Sequence, residues 1–506
     1  MKGVVAAGDR ITAEAGAEML RIGGNAFDAA CASMLTAALS EPMLTSLGGG
    51  GFALTHEIGK APEFYDFFVD VPPNRVENPD FFPIYVELEN TVQEFHIGAA
   101  STAVPGMVKG IYELHRDKGS LPLEEIIKPA CKYAREGIYL SKIQVHFINI
   151  LKPLLMSTEA SRDVFFKDDN LIDEKHLFKD PDYAEFLESF AEKGADIFYS
   201  GEVAEAIDEI NRKEHGLLRK SDLEKYKVIK RKPIIFNYQN DTILTAPPPS
   251  AGGILIAFAL KLLNNADLGK FGSLTHIREL IETMAIAADF RSTHINEHLH
   301  KAGLEKILED ERQLSHFLLS KNSKMNFWGN TTHISVIDKD NNAVSVTSTN
   351  GEGSGIIVPH GGIMLNNMLG EEDLNPYGFF KWDSGIRLPS MMAPTIVIED
   401  EKPKLVLGSA GSNRIRSAIS EVIINHIYYK QDIQSAIDAA RVHYEKGHIF
   451  FEPGFSKEII EATKKLYPVT AFKEQSIFFG GVNAVTGDFN GGSDRRRGGN
   501  VIYVES

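Results

Sequence analysis

Apolar and polar positions along this chain follow two regimes. In the first part small apolar residues recur at helical spacing. Positions 13–21 read as a helix stopped by Gly23-Gly24, and Asn25 is placed to cap a second helix over 27–39 that Glu41-Pro42 closes. Gly48-Gly49-Gly50-Gly51 then turns into an apolar strand, and 64–70 reads as another. Helices are predicted around 108–115 and over 123–136, and 142–235 is expected to be a helical periphery with a Ser221-to-Glu224 capping box. Ile243-Leu244-Thr245 runs into three prolines and a helix opened by Gly252-Gly253, 304–319 reads as helix, and 321–329 as a polar, mobile connector. After 331 the period drops to two. Positions 333–337 and 343–347 flank the turn Asp338-Lys339-Asp340-Asn341-Asn342, 396–398 and 404–407 make a second hairpin, and Ile415, Ala418, Ile419, Val422 and Ile423 return to helical spacing. Periodicity alone predicts mixed α and β structure.

Composition narrows the field. A chain of 506 residues with 43% hydrophobic residues can bury roughly three quarters of its unfolded surface. It has no linker and no fixed-period repeat, so one interlocked body is expected. The net charge of −16 excludes a phosphate-backbone partner, and no nucleic acid is predicted. Arg495-Arg496-Arg497, the one tight basic run, reads as a solvated loop between glycine pairs. Cys31 and Cys131 read as core fillers without a disulfide framework. No run approaches the roughly 20 apolar residues that span a bilayer, and the start lacks a signal peptide's apolar core, so a cytoplasmic protein with no membrane partner is expected. His294, His298 and His300 with Glu297 have helix-compatible spacing for a metal, but no cysteine or carboxylate set accompanies them; neither a metal nor a cofactor is predicted.

The candidate chemistry lies in Gly329-Asn330-Thr331-Thr332-His333. Two threonines before a strand are what β-propensity alone often places there. The functional reading is a hidden nucleophile. A threonine hydroxyl needs an adjacent base, and its own α-amine, with a reference pKa of roughly 7.7–8.0, serves once the chain is cut before it. A serine hydrolase is disfavoured because no Gly-x-Ser-x-Gly elbow occurs.

Asn330-Thr331-Thr332-His333, followed by Asp338, Asn342-Ala343-Val344 and Thr347-Ser348-Thr349, resembles the processing site of the γ-glutamyltransferases. Gly23-Gly24-Asn25-Ala26, Glu41-Pro42 and the four glycines resemble that family's N-terminal signature. The resemblance covers nearly the whole chain. It implies an α+β fold, the four-layer αββα sandwich of the N-terminal-nucleophile hydrolases, and self-cleavage between Asn330 and Thr331 into subunits 1–330 and 331–506. It also implies Thr331 as nucleophile, Thr349 as its hydrogen-bonding partner, and backbone amides of Gly411 and Ser412 as oxyanion donors at a helix start. Asn350, Glu371 and Ser390 are then candidate binders of a small-molecule γ-glutamyl amide such as glutathione, with water or an amine as acceptor and a homo-oligomer left open. An arginine near 495–497 would brace the C-terminal segment.

Departures from the family pattern concern the substrate. Phe68 stands where the resemblance places a carboxylate-binding arginine, which Arg75 or Arg387 could replace from elsewhere. Met368 and Met391 replace a glutamine and a serine, and Glu371, with Glu372 and Asp373 as neighbours, replaces an aspartate. A short connection from Gly370 to Arg387 implies a more open pocket. An acylase for glutaryl or poly-γ-glutamyl amides, or a non-catalytic relative acting as a binding protein, are the alternatives.

Overall fold

Two polar side chains set where the first helices begin. The Asp9 carboxylate accepts from the Ile11 N–H at the start of helix Arg10–Arg21. Asn25 accepts from the Phe27 and Asp28 N–H groups, and Asp28 reaches back to the Asn25 N–H, so helix Ala26–Ser40 carries a complete capping box. The computed structural model describes residues 2–88, 91–309 and 329–505.

The two helices cover a seven-stranded antiparallel sheet ordered Ile229–Arg231, Glu63–Phe67, Gly50–His56, Ala343–Thr349, Thr332–Asp338, Gly3–Ala7, Asn500–Val504. Strands from either side of residue 330 interleave in it, so the chain does not divide there into separate bodies. A second antiparallel sheet runs Ile234–Tyr238, Asp241–Thr245, Thr395–Glu399, Lys402–Ala410, Gly481–Thr486, Gly491–Ser493.

Strand alternation gives the first sheet a core on each face. Val5, Ala7, Ala53, Tyr65, Ile334 and Val336 pack with the first two helices. Val4, Ala6, Phe52, Leu54 and Phe64 pack with Ile243, Val397, Leu405 and Ala484 of the second sheet, and that core continues into helices Ala251–Leu263 and Ile415–Ile423. Among the described residues no helix is long and apolar enough to cross a membrane.

Several elements differ from the sequence pattern. Strand Ile229–Arg231 falls inside the stretch expected to be helical and strand Ile234–Tyr238 begins at its end, and each takes an edge of a central sheet. The expected capping box is displaced: helix Lys220–Lys225 starts where Asp222 accepts the Arg219 N–H. Leu304–Glu309 is a 3-10 helix, and the rest of the 304–319 helix and the connector over 321–328 lie outside the described residues. The triple arginine is not a solvated loop. Arg496 pairs with Glu452 and Asp494 in the interior, Arg497 donates to the Ile477 and Gly329 carbonyls, and only Arg495 is exposed. Buried guanidinium groups are retained where carboxylates and carbonyls satisfy them.

Candidate active site

The register of one hairpin builds the centre of the site. Thr332 lies opposite Ser348, which brings Thr331 beside Thr349. The Thr349 hydroxyl donates to the carbonyl oxygen of Asn330, while the Gly351 N–H donates to the same hydroxyl at 3.0 Å. With its acceptor side occupied, the hydroxyl has its proton directed at the peptide bond that precedes Thr331. Thr331 itself is 4% exposed and lines a cavity of about 50 Å³.

Alternation sends successive side chains of this strand to opposite sides. His333 abuts Gly408 of the second sheet and Ser335 donates to the Asn483 carbonyl, so the odd positions face the gap between the sheets. His333 also bonds to Thr347 and Ser335, and burial pulls its pKa down to about 3, leaving it neutral. Thr332 faces the helices, where its hydroxyl donates to Glu41 at 2.6 Å; Thr12 donates to the other oxygen at 2.7 Å. Burial, with the nearby charge of Asp9, pushes Glu41 up to about 8. The residue that marks a helix end in the sequence is therefore also an anchor for the residue after Thr331.

Gly411 and Ser412 follow the last residue of strand Lys402–Ala410 and lead through a 3-10 turn into helix Ile415–Ile423. Gly411 has φ 112°, and a Cβ there would lie 2.8 Å from the Gly480 Cα. Ser412 lines the cavity, its hydroxyl donates to Asp373 at 2.6 Å, and it packs so closely on Gly329 that a Cβ on Gly329 would sit 2.3 Å from the Ser412 Cβ. Gly411 is not in the cavity wall; it backs onto Gly480.

The remaining candidates separate. Glu371 and Ser390 line the cavity, with Met391 and Phe68. Asn350 does not: its amide donates to the Leu365 carbonyl. Met368 is also away from the cavity, fully buried. Burial first, then the charges of Glu352 and Asp373, raises the Glu371 pKa well above the carboxylate range. Ser390 accepts the Met392 N–H. From the connection after Gly370, Glu371, Asp373, Leu374 and Pro376 help wall the pocket.

Neither arginine proposed to replace the one absent at Phe68 reaches the cavity. Arg75 is exposed and bonds the Pro72 and Asn74 carbonyls, while Arg387 is spent on Asp66, Asp70 and the Phe68 carbonyl. Among the described residues, the cation in the wall is Arg291, at the end of helix Leu274–Phe290. Sequence reasoning passed over it because it sits in no motif, and the helical period that precedes it marks only a buried face. The nearby histidines bond to backbone carbonyls: His298 to that of His294, His300 to that of Arg387.

A match to the family described as Gamma-glutamyltranspeptidase spans residues 12–504. The chain belongs to the γ-glutamyltranspeptidase family. It is 31% identical to the glutathione hydrolase proenzyme of Escherichia coli (strain K12) over 98% of this chain and 90% of that one. Among solved structures, a cephalosporin acylase from Bacillus halodurans has the same fold, with a TM-score of 0.87 at 23% identity over 100% of this chain and 96% of that one. The Helicobacter pylori γ-glutamyltranspeptidase matches with a TM-score of 0.55 at 28% identity, its chain being 91% covered by 62% of this one. The γ-glutamyltranspeptidase family is a branch of the N-terminal-nucleophile hydrolases, and its activity class is amide hydrolysis or acyl transfer. Of the residues that the resemblance singles out, Asn330, Thr331, Thr349, Glu371, Ser390 and Ser412 share one cavity wall, and Asn350 and Gly411 do not.

Proposed function

We propose that the chain is a self-processing acyltransferase or amide hydrolase on a four-layer αββα frame, with Thr331 as its nucleophile. The observation that carries this reading is the Thr349 hydroxyl donating to the Asn330 carbonyl beside a buried Thr331. Attack of Thr331 Oγ on that carbonyl carbon forms an ester as the C–N bond breaks, and the hydroxyl proton passes to the departing nitrogen. Thr349 stabilises the charge that builds on the oxygen. Water then cleaves the ester, separating 1–330 from 331–506. The interleaved strands hold the two pieces in one body. The word proenzyme in the name of the Escherichia coli relative supports such processing, as does the 62% share of this chain matched by the Helicobacter pylori chain.

In the cut protein the Thr331 amine takes the proton from its own hydroxyl, Oγ attacks the amide of an acyl donor, and the amine portion leaves. Water or a second amine then releases the acyl group. A γ-glutamyl amide of glutathione type is the first substrate class: Glu371 and Asp373 in the wall suit its ammonium. A second reading, an acylase for glutaryl-type amides, is favoured by Phe68 and Met391 in that wall. Purified protein run on a denaturing gel should give two pieces rather than one of 55.9 kDa, and release of p-nitroaniline from γ-glutamyl and glutaryl anilides ranks the donors. An uncut chain without turnover would leave a binding protein.

A further inference from the structure

We infer that Arg291 recognises a carboxylate on the acyl donor, doing from the far end of a helix what the residue at position 68 cannot. This deepens the acyl-transfer reading and rests on it.

The argument starts from the arginine's partners. Arg291 Nη1 donates to Asn413 Oδ1 at 2.8 Å and Nε to Asn296 Oδ1 at 3.4 Å, both neutral amide oxygens. Arg387, Arg414, Arg441 and Arg496 each have a carboxylate within 4 Å. Arg291 has none among the described residues, and its Nη2 is left over. Asp373 and Glu445 are close enough to act on its charge. Their oxygens are already engaged, Asp373 with Ser412 and Asn413, and Glu445 with Asn413 and Arg414. A guanidinium held in place by two amides, lining a pocket and without an ion-pair partner among the described residues, offers its remaining N–H groups to an incoming carboxylate.

The pocket's lining suits the rest of such a donor. Arg291 shares the wall with Thr331, so a group bound to it lies in the cavity that the nucleophile enters. Phe68, Leu299, Met391 and Met392 supply apolar surface for a short methylene chain between the carboxylate and the reacting carbonyl. The ligand class is therefore an acyl group ending in an ionised carboxylate, whether or not an ammonium sits beside it.

The test compares p-nitroanilides of glutaryl, γ-glutamyl and butyryl groups, the last having the chain without the carboxylate. In the cut wild-type enzyme the carboxylate-bearing donors should have the higher kcat/KM. Arg291→Gln should lower the ratio of glutaryl to butyryl kcat/KM about 100-fold, chiefly through KM, as expected for losing a charge-assisted hydrogen bond. Arg291→Lys should recover only part of it, because an ammonium lacks the planar fork. Completion of self-cleavage in each variant shows that it has folded; if the Gln variant does not fold, the Lys variant carries the test with a drop of about tenfold. An unchanged ratio in a folded variant overturns the assignment. If the wild type cleaves none of the three anilides, the acyl-transfer reading fails. Calorimetry with glutarate then decides for Arg291 separately: binding at least tenfold weaker in the variant upholds it, and equal binding overturns it.

Discussion

Thr349 donates its hydroxyl proton to the carbonyl oxygen of Asn330, across the hairpin that also carries Thr331. That oxygen gains negative charge only if the Asn330–Thr331 bond is attacked, so the contact would strengthen in the proposed self-cleavage. Thr349→Val should slow the appearance of two pieces on a denaturing gel by about 10²–10³, the usual cost of one oxyanion donor. Thr349→Ser should cut at nearly the wild-type rate, and equal rates for Val and wild type would remove Thr349 from the processing step.

Gly411 holds a conformation that a side chain resists, and a Cβ there meets the Gly480 backbone. Gly411→Ala should cost about 1–3 kcal/mol in denaturant unfolding and slow both cleavage and turnover. Ser412→Ala is expected to be milder, with turnover reduced less than about tenfold, because a backbone amide does not depend on the side chain. A loss of 10³ or more would assign the hydroxyl a direct part.

Glu41 ties the stability of the fold to pH. Its carboxyl is raised from 4.5 to about 8 in the folded chain, chiefly by burial, and the buried Glu421 is raised to about 8 for the same reason. A raised folded pKa means that the folded state holds the proton more tightly. Its stabilising share is complete below about 4.5 and is lost as pH rises through about 8. Each group should lower the unfolding free energy by up to about 1.4 kcal/mol per pH unit across that window. Glu41→Gln should flatten the profile by one group's share, measured by denaturant titration at several pH values. Glu41→Ala should cost about 3 kcal/mol at acidic pH, since the buried hydroxyls of Thr332 and Thr12 lose their acceptor.

Glu371 has its pKa raised by burial and by Glu352 and Asp373, so its carboxyl keeps its proton to higher pH than an ordinary carboxylate. A γ-glutamyl donor brings an ammonium that favours the ionised form. Its kcat/KM should therefore increase as pH climbs through the Glu371 titration, while that of a glutaryl donor should not show this limb. Glu371→Gln should erase the limb and reduce γ-glutamyl turnover about tenfold. Parallel pH profiles for the two donors in the wild type would exclude Glu371 from ammonium binding.

What the sequence settled by itself was local. Asn25 with Asp28 predicts a helix start that the structure contains, and the turn after Asp338 predicts a hairpin, because caps and turns act within a few positions of one another. The tertiary structure decided what depends on packing. Strand Ile229–Arg231 lies within a stretch expected to be helical and gains its hydrogen bonds from Glu63–Phe67 at the edge of a sheet. Arg496 and Arg497 look like surface charge until Glu452, Asp494 and the Gly329 carbonyl are brought round them from distant parts of the chain. Arg291 belongs to the pocket, and Arg75 and Arg387 do not, because two amide side chains hold the first while acids and carbonyls elsewhere occupy the others. A charged side chain's role is set by the partners that surround it, and those partners are chosen by the fold rather than by neighbours in the chain.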